Sequence, residues 1–221
     1  MFDRSFIYAS YGCRKLKGTH KASARLQNFM RKHSNDKYYL QLDIRKYYYN
    51  INHNILRNFI SKKISDERIV NLIMLFVDTV KGIGLFVGNV LSQLFGLIYL
   101  SPLDHFIKRF LKIRHYIRYV DDFVLVGLEK SEAHILKSKI ESFLKDNLNL
   151  ELSKFRIAKI KEGCNFVGFR TWKRVKFIRK HTLHNFSKAV KLQKEASIIS
   201  ILGHAKHSSS HKYLISKIGA A

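Results

Sequence analysis

Three acidic side chains stand where a divalent cation could be held: Asp43 and the adjacent pair Asp121-Asp122. The pair lies inside HYIRYVDDFVLVG, between the β-rich runs Tyr116–Val120 and Phe123–Leu128. A hairpin is expected there, with both acids at its bend. Asp43 ends the alternating run Tyr38-Tyr39-Leu40-Gln41-Leu42, the pattern of a half-buried strand. Carboxylates at exposed turns of a rigid support suit hard divalent cations. Two such ions can activate a 3′-hydroxyl and steady a leaving pyrophosphate, which is the chemistry of nucleic-acid synthesis. Taken alone, Asp121-Asp122 is an ordinary solvated turn and Asp43 a strand-end cap, since Asp favours such settings for local hydrogen-bonding reasons. Their shared context makes them a candidate metal site.

Composition narrows the partner. The 221 residues include 41 Lys and Arg against 16 Asp and Glu, a formal charge of +25. That excess favours a polyanion, because each neutralised phosphate releases counterions. The basic residues are spread along the chain instead of forming one tail or one amphipathic helix, which fits a groove tracking a duplex better than an anionic membrane. A hydrophobic share of 46% with 13% aromatics is that of a folded chain, large enough for one full core. Cys13 and Cys164 are too far apart in sequence for a disulfide framework or zinc pattern and read as buried small residues. The histidines, His20, His181, His184, His204, His207 and His211, have no metal spacing either. The start, MFDRSFIYAS, lacks the features of a signal peptide, so a cytoplasmic location is expected. Gly82 to Leu103 carries no charge and is long enough to cross a bilayer. Its glycines, Asn89, Ser92, Gln93, Ser101 and Pro102 break it into short runs, so buried core is expected and no membrane partner.

The elements that must position the acids follow in order. After a basic opening come strand Tyr38–Asp43, a helix from His53 to about Ile64, and a helix Glu67–Val80 capped by Ser65 and Asp66. In that helix Ile69, Ile73, Phe76, Val77 and Val80 repeat at helical spacing. A glycine-punctuated segment leads to a long helix, Ser92 to Phe110, with a bend expected at Pro102. The acid hairpin follows, then a helix Glu132–Leu144 with Ile135, Leu136, Ile140 and Phe143 on one face. Strands Phe155–Ile160 and Asn165–Arg170 come next, and the tail from Asn185 reads as basic helices. This order predicts an α+β fold: a ferredoxin-like split βαβ antiparallel sheet with helices on one face. In that topology Asp43 and Asp121-Asp122 fall on adjacent central strands, at the same edge.

These residues resemble the reverse transcriptase family. LDIRKYYYNINHNIL is similar to its first palm motif, with Asp43 as metal ligand. VGNVLSQLFGLIYLSPLDHF resembles the second, where Gly88, Ser92 and Gln93 line the floor under template and nucleotide. YVDD is similar to the third, with Asp121 as the other principal ligand and Asp122 beside it. LELSKFRIAKI stands where the fourth is expected and implies Lys154 as proton donor to pyrophosphate, although the usual spacing would favour Phe155. CNFVGF resembles the hairpin that grips the primer, implicating Phe166, Val167, Gly168 and Phe169. SYGCRKLKGTHKASARL looks like part of the fingers of bacterial group II intron-like enzymes, with Arg14 as triphosphate contact. Tyr48 matches the position that excludes a 2′-hydroxyl, which implies a DNA product.

The resemblance covers roughly residues 8 to 180 and implies three parts: partial fingers (1–37), a palm with the primer-grip hairpin (38–180) and a short helical thumb (181–221). It implies a bacterial or phage-encoded RNA-directed DNA polymerase using two Mg²⁺, or Mn²⁺ in their place, with an RNA template, a DNA or RNA primer and dNTPs. Gly18-Thr19-His20 and Val87-Gly88-Asn89 further resemble the diversity-generating retroelement branch, in which a small basic accessory protein is a partner. Many relatives have glutamine at the place of Val87 and proline at that of Gln93. Losing that amide predicts relaxed fidelity, with errors at template adenines. The stretch that precedes SYG in relatives is expected to be missing. A non-catalytic RNA-binding remnant or subunit, and a reverse transcriptase of phage defence, are the alternatives.

Overall fold

The computed structural model describes residues 2–218; position 1 and positions 219–221, the outer ends of the expected fingers and thumb, lie outside the described residues. Helix α1 (Thr19–Arg31) precedes strand β1 (Tyr38–Ile44). Helices α2 (His53–Ser61), α3 (Glu67–Val77) and α4 (Val90–His105) lead to strands β2 (Tyr116–Tyr119) and β3 (Asp122–Leu128). Helix α5 (Lys130–Leu148) and strand β4 (Leu152–Lys159) complete a four-stranded sheet of order β2-β3-β1-β4. Each neighbouring pair in it is antiparallel. This is the expected split βαβ arrangement, with β1 and β3 at its centre.

Strand periodicity sorts β1 into two faces. Leu40, Leu42 and Ile44 join Phe123 and Leu125 of β3 in a large core with residues of α2 to α5. Tyr39, with Val124 and Val126, faces the other way and packs with Leu26, Phe29 and Met30 of α1 and with Phe166. Gln41 and Asp43 continue that second face beyond the reach of α1. Only one end of this face is covered, and the acids lie at the other end.

Beyond β4 the chain forms a second sheet, β5 (Cys164–Phe166), β6 (Phe169–Thr171) and β7 (Lys176–Ile178), in sequential antiparallel order. The strand read over Asn165–Arg170 from its pattern is therefore a hairpin, as the resemblance of CNFVGF implies. Its two-residue bend, Val167 at φ 46 and Gly168 at φ 88, has both central residues in the left-handed region, which matches the twist of tight hairpins. Helices α6 (Lys180–Lys191), α7 (Glu195–Ala205) and α8 (His211–Ile218) pack on it through Phe169, Ile178, Phe186, Ala205 and Leu214.

Other expectations are corrected in detail. Helix α3 buries Val70, Met74 and Val77, whereas Ile69 and Phe76 are exposed, Phe76 by 52%. Glu67, Arg68 and Asn71 share one side of α3, but its apolar arc is wider than the face that packs on the core, so packing selects which part of that arc is buried. Helix α5 starts earlier, at Lys130, and buries Ala133, Leu136, Ile140, Leu144 and Leu148, leaving Ile135 57% exposed. Phe143 is half-buried, with its ring stacked 4.3 Å from that of Phe106. Helix α4 passes through Pro102 and gives way to a π-helical turn at Phe106–Phe110. The span Val90–Phe110 is long and apolar enough to cross a membrane, yet Phe95 to Leu100 and Leu103 are buried in the fold. Cys164 is buried as expected, but Cys13 is exposed.

Because Ile140 is fully buried and Ile135 is not, Ile140→Ala is expected to cost about 2–5 kcal/mol and Ile135→Ala less than about 0.5 kcal/mol. Urea unfolding of the two variants checks the assigned face; equal losses would contradict it.

Candidate active site

Strand pairing brings the distant acids together. Asp43 is in register with Asp122 on one side and Lys154 on the other, so all three share one face of the sheet. Asp121 stands at the turn between β2 and β3, beside Val120 at φ 56. A β-branched residue in that region is a strained outlier of the kind found at functional turns, costing on the order of 1–3 kcal/mol. Gly12 allows the amino-terminal segment to lie against this turn: a β-carbon there would approach Val120 Cγ2 to 2.6 Å and its nitrogen to 2.7 Å.

Placing Asp43 directly opposite Asp122 is unfavourable for folding, since like charges across a strand pair repel. Neutral donors moderate the cost. Gln41 Nε2 donates to Asp122 Oδ1 at 2.9 Å and to the Asn165 carbonyl at 2.8 Å, and the Ser153 hydroxyl donates to Asp43 Oδ2. Among the described residues none of the three carboxylates forms an ion pair. Burial pushes the Asp122 carboxyl up to about 7, helped by the charges of Asp43 and Asp121 against the Gln41 hydrogen bond and Arg179. Burial also raises Asp121, again with Asp43 contributing.

Asp43 and Asp122 line a cleft of about 520 Å³ together with Lys154, Arg156, Asn165 and Arg179. Three cations thus face two acids there. Gln41 and Arg156 belong to no motif of their own, though the period of two puts them on the face of Asp43 and Lys154. Arg179, the residue before α6, left no sequence signal, because only the fold returns it to the cleft.

The other predicted residues are distributed as follows. The Tyr48 ring lies 5.2 Å from that of Tyr47, against Gly96, where a β-carbon would sit 3.0 Å from Tyr48 Cε1. Burial, with Cys13 and Asp121 nearby, raises the Tyr48 phenol to about 12. Val87 and Gly88 are on an exposed loop, Ser92 is buried and Gln93 is exposed in the first turn of α4. Phe166 and Phe169 are fully buried in two different cores, so contact with a primer would fall to the Val167-Gly168 tip. Arg14 departs most from expectation. Its Nε donates to Asp3 at 2.7 Å and its Nη1 to the carbonyls of Ile7 and Ser10. The side chain is only 9% exposed, so the guanidinium braces the amino-terminal segment.

The chemistry of the donors fits a hard cation: adjacent carboxylates, repelling one another and not neutralised by an ion pair. Among the described residues no three His, Cys, Asp or Glu side chains already form a metal cage. The side-chain donors Gln41 and Ser153 engage Asp122 Oδ1 and Asp43 Oδ2, and a carboxylate has a second oxygen with which to take a cation.

Residues 2–171 match the family model described as reverse transcriptase (RNA-dependent DNA polymerase). The chain belongs to the reverse transcriptase family. Among solved structures, apo telomerase of Candida tropicalis truncated from its C-terminal domain is similar, with a TM-score of 0.61 and 19% identity over 77% of this chain and 41% of that one. Telomerase of Candida albicans, in complex with a TWJ fragment of telomeric RNA, gives 0.60 and 14% identity over 84% and 40%. Candida tropicalis telomerase with the same kind of fragment gives 0.61 and 17% identity over 95% and 42%. At these identities the likeness is one of fold, and this reverse transcriptase-family chain spans about two fifths of those proteins. No curated protein matches.

A pH dependence follows. An unfolded Asp loses its proton near 3.8, whereas folded Asp122 holds it up to about 7, so between those values the native state binds more protons and stability falls as pH rises. Asp122→Asn removes that loss. Metal-free variant protein is expected to gain on wild type progressively across this window in urea midpoints with a chelator present; a constant difference would contradict the assignment.

Proposed function

We propose that this chain is the catalytic core of an RNA-templated DNA polymerase. The observation that carries the reading is the facing of Asp43 and Asp122 across paired central strands, in a cleft lined also by Lys154, Arg156 and Arg179, with Asp121 next in sequence at the adjoining turn. Asp43 and Asp121, supported by Asp122, would hold two Mg²⁺, or Mn²⁺ in their place. When bound, these ions supply charge neutralisation at the attacking 3′-hydroxyl and the leaving pyrophosphate. The three cations of the cleft would offer countercharge to the triphosphate of a dNTP, and Lys154, in register with Asp43, would give a proton to pyrophosphate. Tyr48, beside Asp121, would meet the sugar and exclude a 2′-hydroxyl. Template and primer would be held mainly through backbone and shape, as a charge of +25 favours. In this reading residues 38–180 are the palm, 1–37 part of the fingers and 181–221 a short thumb.

Within the family we place the chain with diversity-generating retroelements. Val87 is 52% exposed on the loop before α4, where an apolar side chain offers no amide to a template base, and this supports relaxed fidelity. A small basic accessory protein belongs to the same reading. A second reading, RNA binding without catalysis, draws on Arg14, whose guanidinium is already engaged.

Primer extension on an RNA template with a Mg²⁺ titration tests the first reading. Asp121→Asn is expected to lower extension by about 100- to 1,000-fold while leaving RNA binding in place, the scale of loss seen when charge stabilisation at a reacting centre is removed. RNA binding with no extension by the wild type would favour the second reading. Tyr48→Ala is expected to admit ribonucleotides at least about tenfold more readily, the discrimination one steric contact commonly supplies; unchanged discrimination would remove Tyr48 from the gate.

A further inference from the structure

Beneath the strained turn lies a charged pair that the proposed chemistry does not use. Asp104 of α4 and Arg118 of β2 are both fully buried. Their carboxylate and guanidinium form a two-point contact, Nε to Oδ1 at 2.8 Å and Nη2 to Oδ2 at 2.5 Å. The remaining terminal nitrogen, Nη1, donates to the Val120 carbonyl at 2.8 Å, and the Tyr116 hydroxyl donates to Asp104 Oδ1 at 2.7 Å. The backbone of Arg118 is engaged as well: its N–H donates to Ala9 and its carbonyl accepts from Tyr11. One residue therefore joins α4, the acid-bearing turn and the amino-terminal segment that brings Gly12 against Val120.

A buried ion pair is weak evidence for stability, because the desolvation of both charges offsets their attraction. Its geometry is more informative. The planar fork of Arg satisfies a carboxylate with one edge and leaves another N–H to fix a carbonyl, and here that carbonyl belongs to the residue at φ 56. We propose that Asp104 and Arg118 are positioning residues: they hold Val120 in its strained conformation and thereby fix where Asp121 stands relative to Asp43. The proposal rests on the polymerase reading and extends it to groups that touch neither substrate nor metal. Small displacements of a reacting group are costly, so loosening the turn is expected to slow the chemical step more than it weakens binding.

The double variant D104N/R118M tests this. It removes both buried charges together, leaves neither orphaned, and keeps an acceptor for Tyr116. The expected result is a folded protein whose dNTP KM and primer affinity stay within about threefold while kcat falls by about 10- to 100-fold. The amides of Asp121 and Asp122 should also exchange with deuterium at least about tenfold faster. A stable double variant with wild-type kcat, or with unchanged exchange at the turn, overturns the proposal. Should the double variant not fold, Arg118→Lys serves, since a lysine point charge does not reproduce the fork; a folded variant with full kcat overturns the proposal, and a tenfold loss supports it. If the wild type shows no extension under any condition, the polymerase reading fails. The exchange measurement still judges whether Asp104 and Arg118 hold the turn.

Discussion

Repulsion between two carboxylates on neighbouring strands is the constraint around which this molecule is arranged. Asp43 and Asp122 face each other across the central pair β1 and β3, where sheet geometry allows them little freedom to move apart. The rest of the fold supplies the restraint. Leu40 and Leu42 anchor β1 from the opposite face in a core shared with four helices, and the alternation of the strand then directs Gln41 and Asp43 into the cleft. Uncharged donors, Gln41 and Ser153, satisfy part of the acids' hydrogen-bonding capacity without neutralising them. An arginine in their place would have neutralised the acids and left them less receptive to a cation.

Much of this is legible in the sequence, for identifiable reasons. The alternation in Tyr38–Asp43 and the β-rich runs around Asp121-Asp122 depend on local pattern, and the sheet follows with the expected order. Lys154, uncertain by spacing, is the residue in register with Asp43. Failures occur where pattern is uninformative. Helix α3 has an apolar arc wider than the face it buries, so pattern alone does not choose between the stripe of Ile69 and that of Val70. Arg14 looks like any exposed cation until Asp3 and the carbonyls of Ile7 and Ser10 are brought around it. Arg179 reaches the acids only through the return of the chain after β7.

The cores also bear on how the site is supported. Phe166 and Phe169 flank the Val167-Gly168 bend and point into separate clusters, one under the sheet and one among α6 to α8. The Gly168 carbonyl accepts from the Arg179 backbone, so the bend also sets the start of α6. The hairpin that resemblance assigns to gripping a primer is thus, in packing terms, the joint between the sheet and the terminal helices. Its aromatic residues are accounted for by that structural work.

The way residues 9–11 lie along β2 has a consequence for assembly. Ala9 and Tyr11 bond to the backbone of Arg118, so they are made well before their partner, which follows only after the helical stretch α1 to α4. Until then Tyr11 and Phe6 lack their final neighbours, and such delayed long-range pairing is slow and exposed to misassociation. Completion of the nascent domain therefore waits on synthesis of its middle.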